Sequence, residues 1–230
     1  MFNNEYEIFK ELNSELEKAR IELTVICAGG FVLSHYGMRA TQDIDGFFKS
    51  THEIERIIKR VGDKYGINKE DELWLNNSVQ NLNPQPPEEL CDQLYSFNNL
   101  NVLMLPLDYI AGMKLKSARE IDIKDVGEII KKLEIQSPEG LSEKLNSYGF
   151  SNIDKSNLLE AFGCAYGMDW LEEYYIQHEK EILKSMGLEY KFNEETIEAI
   201  EEGRAILEGK IESKRYKNLD EVLKEIEDEI

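Results

Sequence analysis

Cysteine is scarce: Cys27, Cys91 and Cys164 are the three in 230 residues, and none forms a CxxC pair. An odd, scattered set is poor material for a disulfide framework or a zinc site, so reduced core thiols are expected. Proline is nearly as rare, with three of the five residues gathered in Asn83-Pro84-Gln85-Pro86-Pro87. That excludes a collagenous or low-complexity chain and marks one clear loop. No apolar run approaches the roughly 20 residues of a membrane span, and no basic segment precedes an apolar one at the start. A soluble, cytoplasmic protein is expected. Positive charge is the largest deficit, since 27 Lys and Arg against 46 Asp and Glu leave a net charge of −19. Such a surface repels polyanions, which excludes broad DNA or membrane binding and leaves nucleic acid only a local patch.

What the chain does contain is hydrophobic periodicity. Ile8, Leu12, Leu16 and Ala19 recur at helical spacing between Glu5 and Ile21. The β-branched run Leu23 to Ala28 predicts a strand, stopped by Gly29-Gly30 and followed by a helix from Phe31 to Tyr36. Gln42 to Lys49 predicts a second strand. Thr51 is placed to cap a helix through Ile54, Ile57, Ile58 and Val61. A further helix is expected around Trp74 to Leu82. Two strands, Gln93 to Phe97 and Leu100 to Leu105, are expected to form a hairpin about Asn98-Asn99, and a helix with a break near Ile121 covers Leu107 to Leu133. The economical architecture is α/β: a mixed sheet flanked by helices, followed by a helical C-terminal region. The expected division is residues 1–135, a helical region 136–191 and an acidic tail 192–230.

The chemistry concentrates between residues 28 and 45. Asp43 and Asp45 are two apart on an expected strand, so both carboxylates face one side and suit a hard divalent cation, with Mg²⁺ the natural candidate. Gly29 and Gly30, between strand and helix, let backbone N–H groups approach a triphosphate with no side chain intervening. Arg39 adds positive charge. A metal held by two Asp beside such a turn has the logic of nucleotidyl transfer from an NTP. Lys114 lies on the apolar face of Ile110, Met113, Leu115 and Ala118, where an unpartnered charge is costly, so it must reach a carboxylate or a phosphate. Arg119 and Asp122 can pair at i, i+3, and Asp125 follows three residues later.

These residues resemble the motif of the nucleotidyltransferase fold: an apolar strand, a Gly-Gly turn, about a dozen residues, then Asp-x-Asp. Arg39 and Thr41 before Asp43, with Lys114-Leu115-Lys116-Ser117-Ala118-Arg119 and Asp122 later, resemble the small bacterial proteins related to AbiEii-type toxins. The resemblance covers roughly residues 20 to 135. It implies a nucleotide site of Gly29, Gly30, Arg39, Thr41, Lys114 and Arg119, a metal at Asp43 and Asp45, and catalytic roles for Asp43, Asp45, Lys114 and Asp122. The chain departs from the fold's pattern in two places. Leu100 to Leu105 carries no third carboxylate, for which Asp122 is the expected substitute, and Gly46 stands where an apolar residue usually follows the second Asp.

Residues 192 to 230 hold thirteen acidic against six basic side chains. Helices are expected after Asn193 and after Asn218, with Ile197, Ile200, Ile206, Leu207, Val222 and Leu223 as apolar anchors. This tail resembles the neutralising arm of RelB/DinJ-type antitoxins, which implies a small basic toxin as partner. The acceptor of an enzyme reading is a tRNA end or a protein hydroxyl. His35, His52 and His178 lack any nucleophile beside them, and Asn76 and Asn77 are weaker candidates for orienting a nucleotide. Trp170, Tyr174 and Tyr175 are expected to be core.

Overall fold

The strand β1, Leu23–Ala28, is apolar on successive residues because helices cover both faces of the sheet it centres. In the computed structural model, which describes residues 4–69, 72–81, 85–185, 194–207 and 210, Val25 and Cys27 join one core cluster while Ile26 and Ala28 join the other. The strands β2 (Ile44–Phe47), β3 (Leu75–Asn76), β4 (Asp92–Ser96) and β5 (Leu100–Met104) complete a mixed sheet of five in the order β3-β2-β1-β5-β4. β1 pairs antiparallel with β2 and parallel with β5, β2 pairs parallel with β3, and β4 and β5 form the expected hairpin.

Two helices cover one face. α1 (Glu5–Ala19) contributes Ile8, Phe9, Leu12 and Leu16, and α3 (His52–Tyr65) contributes Ile54, Ile57, Ile58 and Val61. Thr51 caps α3 as expected, its Oγ1 accepting from the Ile54 amide at 3.3 Å. The other face carries α2 (Gly29–His35), α4 (Leu107–Ser117), α5 (Glu120–Lys132), α6 (Pro138–Ser147) and α7 (Lys155–Tyr166). Leu141, Leu145, Leu158 and Phe162 share one core with Ile123, Val126 and Ile130. The expected boundary at residue 135 therefore falls inside a compact unit spanning Met1–Tyr174. A second unit, Tyr175–Ile230, contains α9 (Glu194–Leu207), and α8 runs from Met168 to Ser185. Asn193 and the helix expected after Asn218 lie outside the described residues.

The long helix is interrupted near Ile121 as expected, at Ala118, which adopts a left-handed φ of 53°. Three local expectations need correction. Trp74 to Asn81 is no helix: Leu75–Asn76 pairs with β2 and Ser78–Asn81 forms one 3-10 turn, because the Trp74 carbonyl accepts from the Ile44 amide at 2.7 Å and its indole N–H donates to the Ile58 carbonyl at 2.9 Å. Cys27 alone is a fully buried thiol, since Cys91 is half-buried and Cys164 exposed. Trp170 stacks between Phe162 and Tyr174, whereas Tyr175 is exposed.

Helix α5 approaches α7 at Gly127, where an added Cβ would sit 2.8 Å from Cys164 Cβ and 3.1 Å from the Ala161 carbonyl oxygen. Because a backbone carbonyl cannot swing aside, Gly127→Ala is expected to lose about 1–3 kcal/mol through overpacking, which exceeds alanine's helical advantage of about 1 kcal/mol except at the lower end. A thermal melt should show a lowered midpoint, and a raised one would mean that the two helices separate without penalty.

Candidate active site

The site forms where β1 hands over to α2 and β2 begins. Gly29 and Gly30 are the first residues of α2, one step beyond the turn that the sequence suggests. Their lack of a side chain serves the neighbouring strand: a Cβ on Gly29 would lie 2.7 Å from Asp45 Oδ2, and one on Gly30 would lie 3.0 Å from Thr41 Oγ1. Gly29 also has a φ of +60°, in the region that L side chains avoid. The glycine pair and the Asp-x-Asp segment are thus in direct contact. Gly46 has the same kind of reason, since its Cβ would meet Val25 Cγ1 at 3.2 Å and the Ile26 carbonyl oxygen at 3.3 Å.

Asp43 immediately precedes β2 and Asp45 lies on it, with buried Ile44 turned the other way. Thr41 Oγ1 donates to Asp43 Oδ1 at 3.0 Å. Asp45 is paired in register with Asn76 of β3. Ser78 Oγ donates to Asn76 Oδ1 at 2.6 Å and stands 3.5 Å from Asp45 Oδ1. Burial pushes the Asp45 carboxyl above its ordinary range and the charge of Asp43 adds to this, while hydrogen bonds from Asn76 and Ser78 partly offset both. Two carboxylates crowded in this way are stabilised by a cation. Lys69 already supplies one, its Nζ lying 3.5 Å from both Asp43 Oδ2 and Glu72 Oε2.

A second layer of charge stands beside this one. Lys114, on α4 and almost wholly buried, donates to Asp122 Oδ1 at 2.8 Å and to Asp125 Oδ2 at 2.6 Å. Arg119, which precedes α5, donates to Asp122 through Nε at 2.6 Å and Nη2 at 3.2 Å. Arg39 reaches Asp125 at 2.8 Å. Burial raises the Asp122 carboxyl, but the hydrogen bonds from Arg119 and Lys114 outweigh it and hold the group well below the usual carboxylate range. The Arg119 guanidinium is held charged mainly by Asp122 and more weakly by Asp45, which links this network to the acidic pair.

The structure therefore brings Gly29, Gly30, Thr41, Asp43 and Asp45 together, and it links Arg39 through Asp125 to Lys114 and Lys114 through Asp122 to Arg119. It does not bring Asp122 to the pair as a third carboxylate: its oxygens face Lys114 and Arg119, and among the described residues no group of three or more His, Cys, Asp and Glu is placed to hold a metal. Asp43 and Asp45 still suit Mg²⁺, which takes one or two carboxylates and keeps waters or phosphate oxygens on its other positions. The amide of Asn76 and the hydroxyl of Ser78 add hard oxygen atoms nearby. Lys69 and Ser78 have no sequence signal that singles them out, because a two-residue strand and a turn carry no periodicity.

Gly29→Ala is expected to push Asp45 aside, and a divalent cation held by the pair would then bind about 10-fold or more weakly, as displaced geometry does. Gly37→Ala is the control, since Gly37 has a φ of +74° but open space around its Cα. Equal metal affinity in the two variants would show that backbone strain, and not the carboxylate contact, accounts for any effect.

The model of the family described as "Nucleotidyltransferase of unknown function (DUF6036)" matches residues 5–174. No curated protein and no solved structure matches the chain. More than half of the chain is covered, and the chain belongs to this nucleotidyltransferase family.

Proposed function

With that family as premise, we propose that the protein transfers a nucleotide from an NTP to a hydroxyl acceptor, using Mg²⁺ held by Asp43 and Asp45. The observation that supports this most is the contact of Asp45 with Gly29, which sets two crowded carboxylates against the first residues of α2. Magnesium supplies Lewis-acid polarisation of the phosphoryl group and neutralises its charge. The acceptor hydroxyl releases its proton to water as its oxygen forms a bond to the α-phosphorus, the bond from that phosphorus to the oxygen bridging to the β-phosphate breaks, and pyrophosphate leaves. Asn76 and Ser78 orient Asp45, and Thr41 orients Asp43. Arg39 and Arg119, braced by Asp125 and Asp122, keep positive charge at the site. A net charge of −19 favours a protein acceptor over tRNA. The likeness of the Lys114 to Asp122 block to AbiEii-type toxins supports a setting in toxin–antitoxin or phage defence.

The test uses NTP labelled at the α- or the γ-phosphate, with Mg²⁺ and either total tRNA or cell lysate. Label from the α-position alone should enter the acceptor, and the tRNA and lysate arms separate the two acceptor classes. Transfer from the γ-position would mark a phosphotransferase, and transfer of neither would overturn the reading.

A further inference from the structure

We infer that Lys69 is a mobile counter-ion of the site, bound to Asp43 when no metal is present and moving to the polyphosphate of the NTP when a divalent cation is loaded. The inference rests on the proposed metal role of Asp43 and Asp45 and assigns a phosphate contact that the sequence motifs do not indicate.

The cations near the site are not held equally firmly. Lys114 is buried and makes two short ion pairs, at 2.8 and 2.6 Å. Arg119 grips Asp122 through two nitrogens, and Arg39 meets Asp125 at 2.8 Å. Each of these charges has a carboxylate partner at close range outside the Asp43 and Asp45 pair. Lys69 is held less closely. Its two contacts are each 3.5 Å long, and one of them is to Asp43 itself. Its side chain is 43% exposed, so water can replace whatever it leaves. An ammonium at that distance gains little from either carboxylate in a high-dielectric setting.

The backbone beneath it is fixed, in contrast. Lys69 N donates to Glu72 O at 3.0 Å, and the preceding Asn68 donates to Lys59 O at 2.8 Å and to Asp63 Oδ1 at 2.7 Å, while its Oδ1 accepts from Trp74 N at 3.3 Å. The root of the side chain is therefore anchored at the edge of the site while its end is free to turn on a flexible four-carbon stem. A divalent cation on Asp43 would both compete for the carboxylate and repel the ammonium. With Asp43 engaged, Lys69 is left with its 3.5 Å contact to the exposed Glu72, and the more highly charged NTP phosphate chain that the cation brings with it competes for the ammonium, which binds such a group as a point charge.

The test compares the full-length protein with Lys69→Met and Lys69→Arg in calorimetric titrations of Mg²⁺ alone, of NTP with Mg²⁺, and of the nucleoside monophosphate with Mg²⁺. Lys69→Met should bind NTP about tenfold more weakly, the size of one charge-assisted contact. Its monophosphate affinity should change little, its affinity for Mg²⁺ alone should be equal or tighter because a competing cation is gone, and Lys69→Arg should restore NTP binding. An unchanged NTP affinity, an equal loss for both nucleotides, or weaker binding of Mg²⁺ alone would each overturn the inference, the last by showing that Lys69 organises the carboxylates. Failure of the wild-type protein to bind Mg²⁺ or NTP would instead bring down the proposed function on which the inference rests.

Discussion

Lys114→Met is expected to destabilise the protein by about 3–5 kcal/mol, the loss typical when one partner of a buried ion pair is removed. Against a usual total of about 5–15 kcal/mol this is a large fraction. The reason is that Lys114 serves two carboxylates at once, and that of Asp122 is only 1% exposed. Methionine matches the length of the lysine stem, so the change isolates the charge. Asp122 has a folded pKa below its unfolded value of 3.8, so its stabilising contribution is present above that value and is lost as the pH falls below it. The variant loses much of the interaction that depresses this pKa. The gap between variant and wild type should therefore be wide at pH 7 and narrow on acidification. Lys114→Met combined with Asp125→Asn should recover part of the loss, because fewer buried charges are then left uncompensated. Denaturant melts at pH 7 and at about pH 2, well below the unfolded pKa of 3.8, measure all of this, and a loss below about 1 kcal/mol at pH 7 would show that the network does not brace α4 against α5.

Asp43→Asn and Asp45→Asn should each lower nucleotide transfer by about 10³-fold or more, since removal of a metal-holding charge forfeits several kcal/mol of transition-state stabilisation. The same substitutions should leave the fold intact, and for Asp45 the metal-free protein should become more stable. The sign follows from the raised pKa of Asp45. A carboxyl that binds its proton more tightly when folded weakens the fold as the pH rises above its unfolded pKa of 3.8. At pH 7, in the absence of divalent cation, the carboxylate is a cost that asparagine removes. Asp45→Asn should then melt above wild type in chelator at pH 7, with the difference shrinking toward pH 4. A variant that melts lower at pH 7 would show Asp45 to be a structural acceptor for Asn76 and Ser78.

Local signals in the chain proved legible wherever one residue type had one physical job. The β-branched run of β1, the threonine cap of α3 and the Asn98-Asn99 hairpin are all visible as patterns because propensity and burial agree there. The nearness of Gly29 to Asp45 is foreshadowed by spacing alone. Other features depend on tertiary context. β3 is two residues long and exists because β2 offers it a ladder, so Trp74 to Leu82 reads as helix from its own composition. Lys114 is marked in the sequence as a charge on an apolar face, but whether it meets phosphate or carboxylate depends on where α5 turns after Ala118. α6 and α7 look like an appendage because nothing in their own periodicity says that their apolar faces share the core of α4 and α5. Lys69 is one lysine among many until the fold sets it beside Asp43.

In the proposed function Asp43 and Asp45 hold a divalent cation through which the triphosphate binds. Calorimetric titration of NTP into the wild-type protein, with Mg²⁺ and then with chelator, and into Asp43→Asn with Mg²⁺, tests it most directly. Saturable one-to-one binding is expected for the wild type with Mg²⁺, and a loss of that binding in both other titrations. Equal affinity in chelator, or in Asp43→Asn with Mg²⁺, would contradict it.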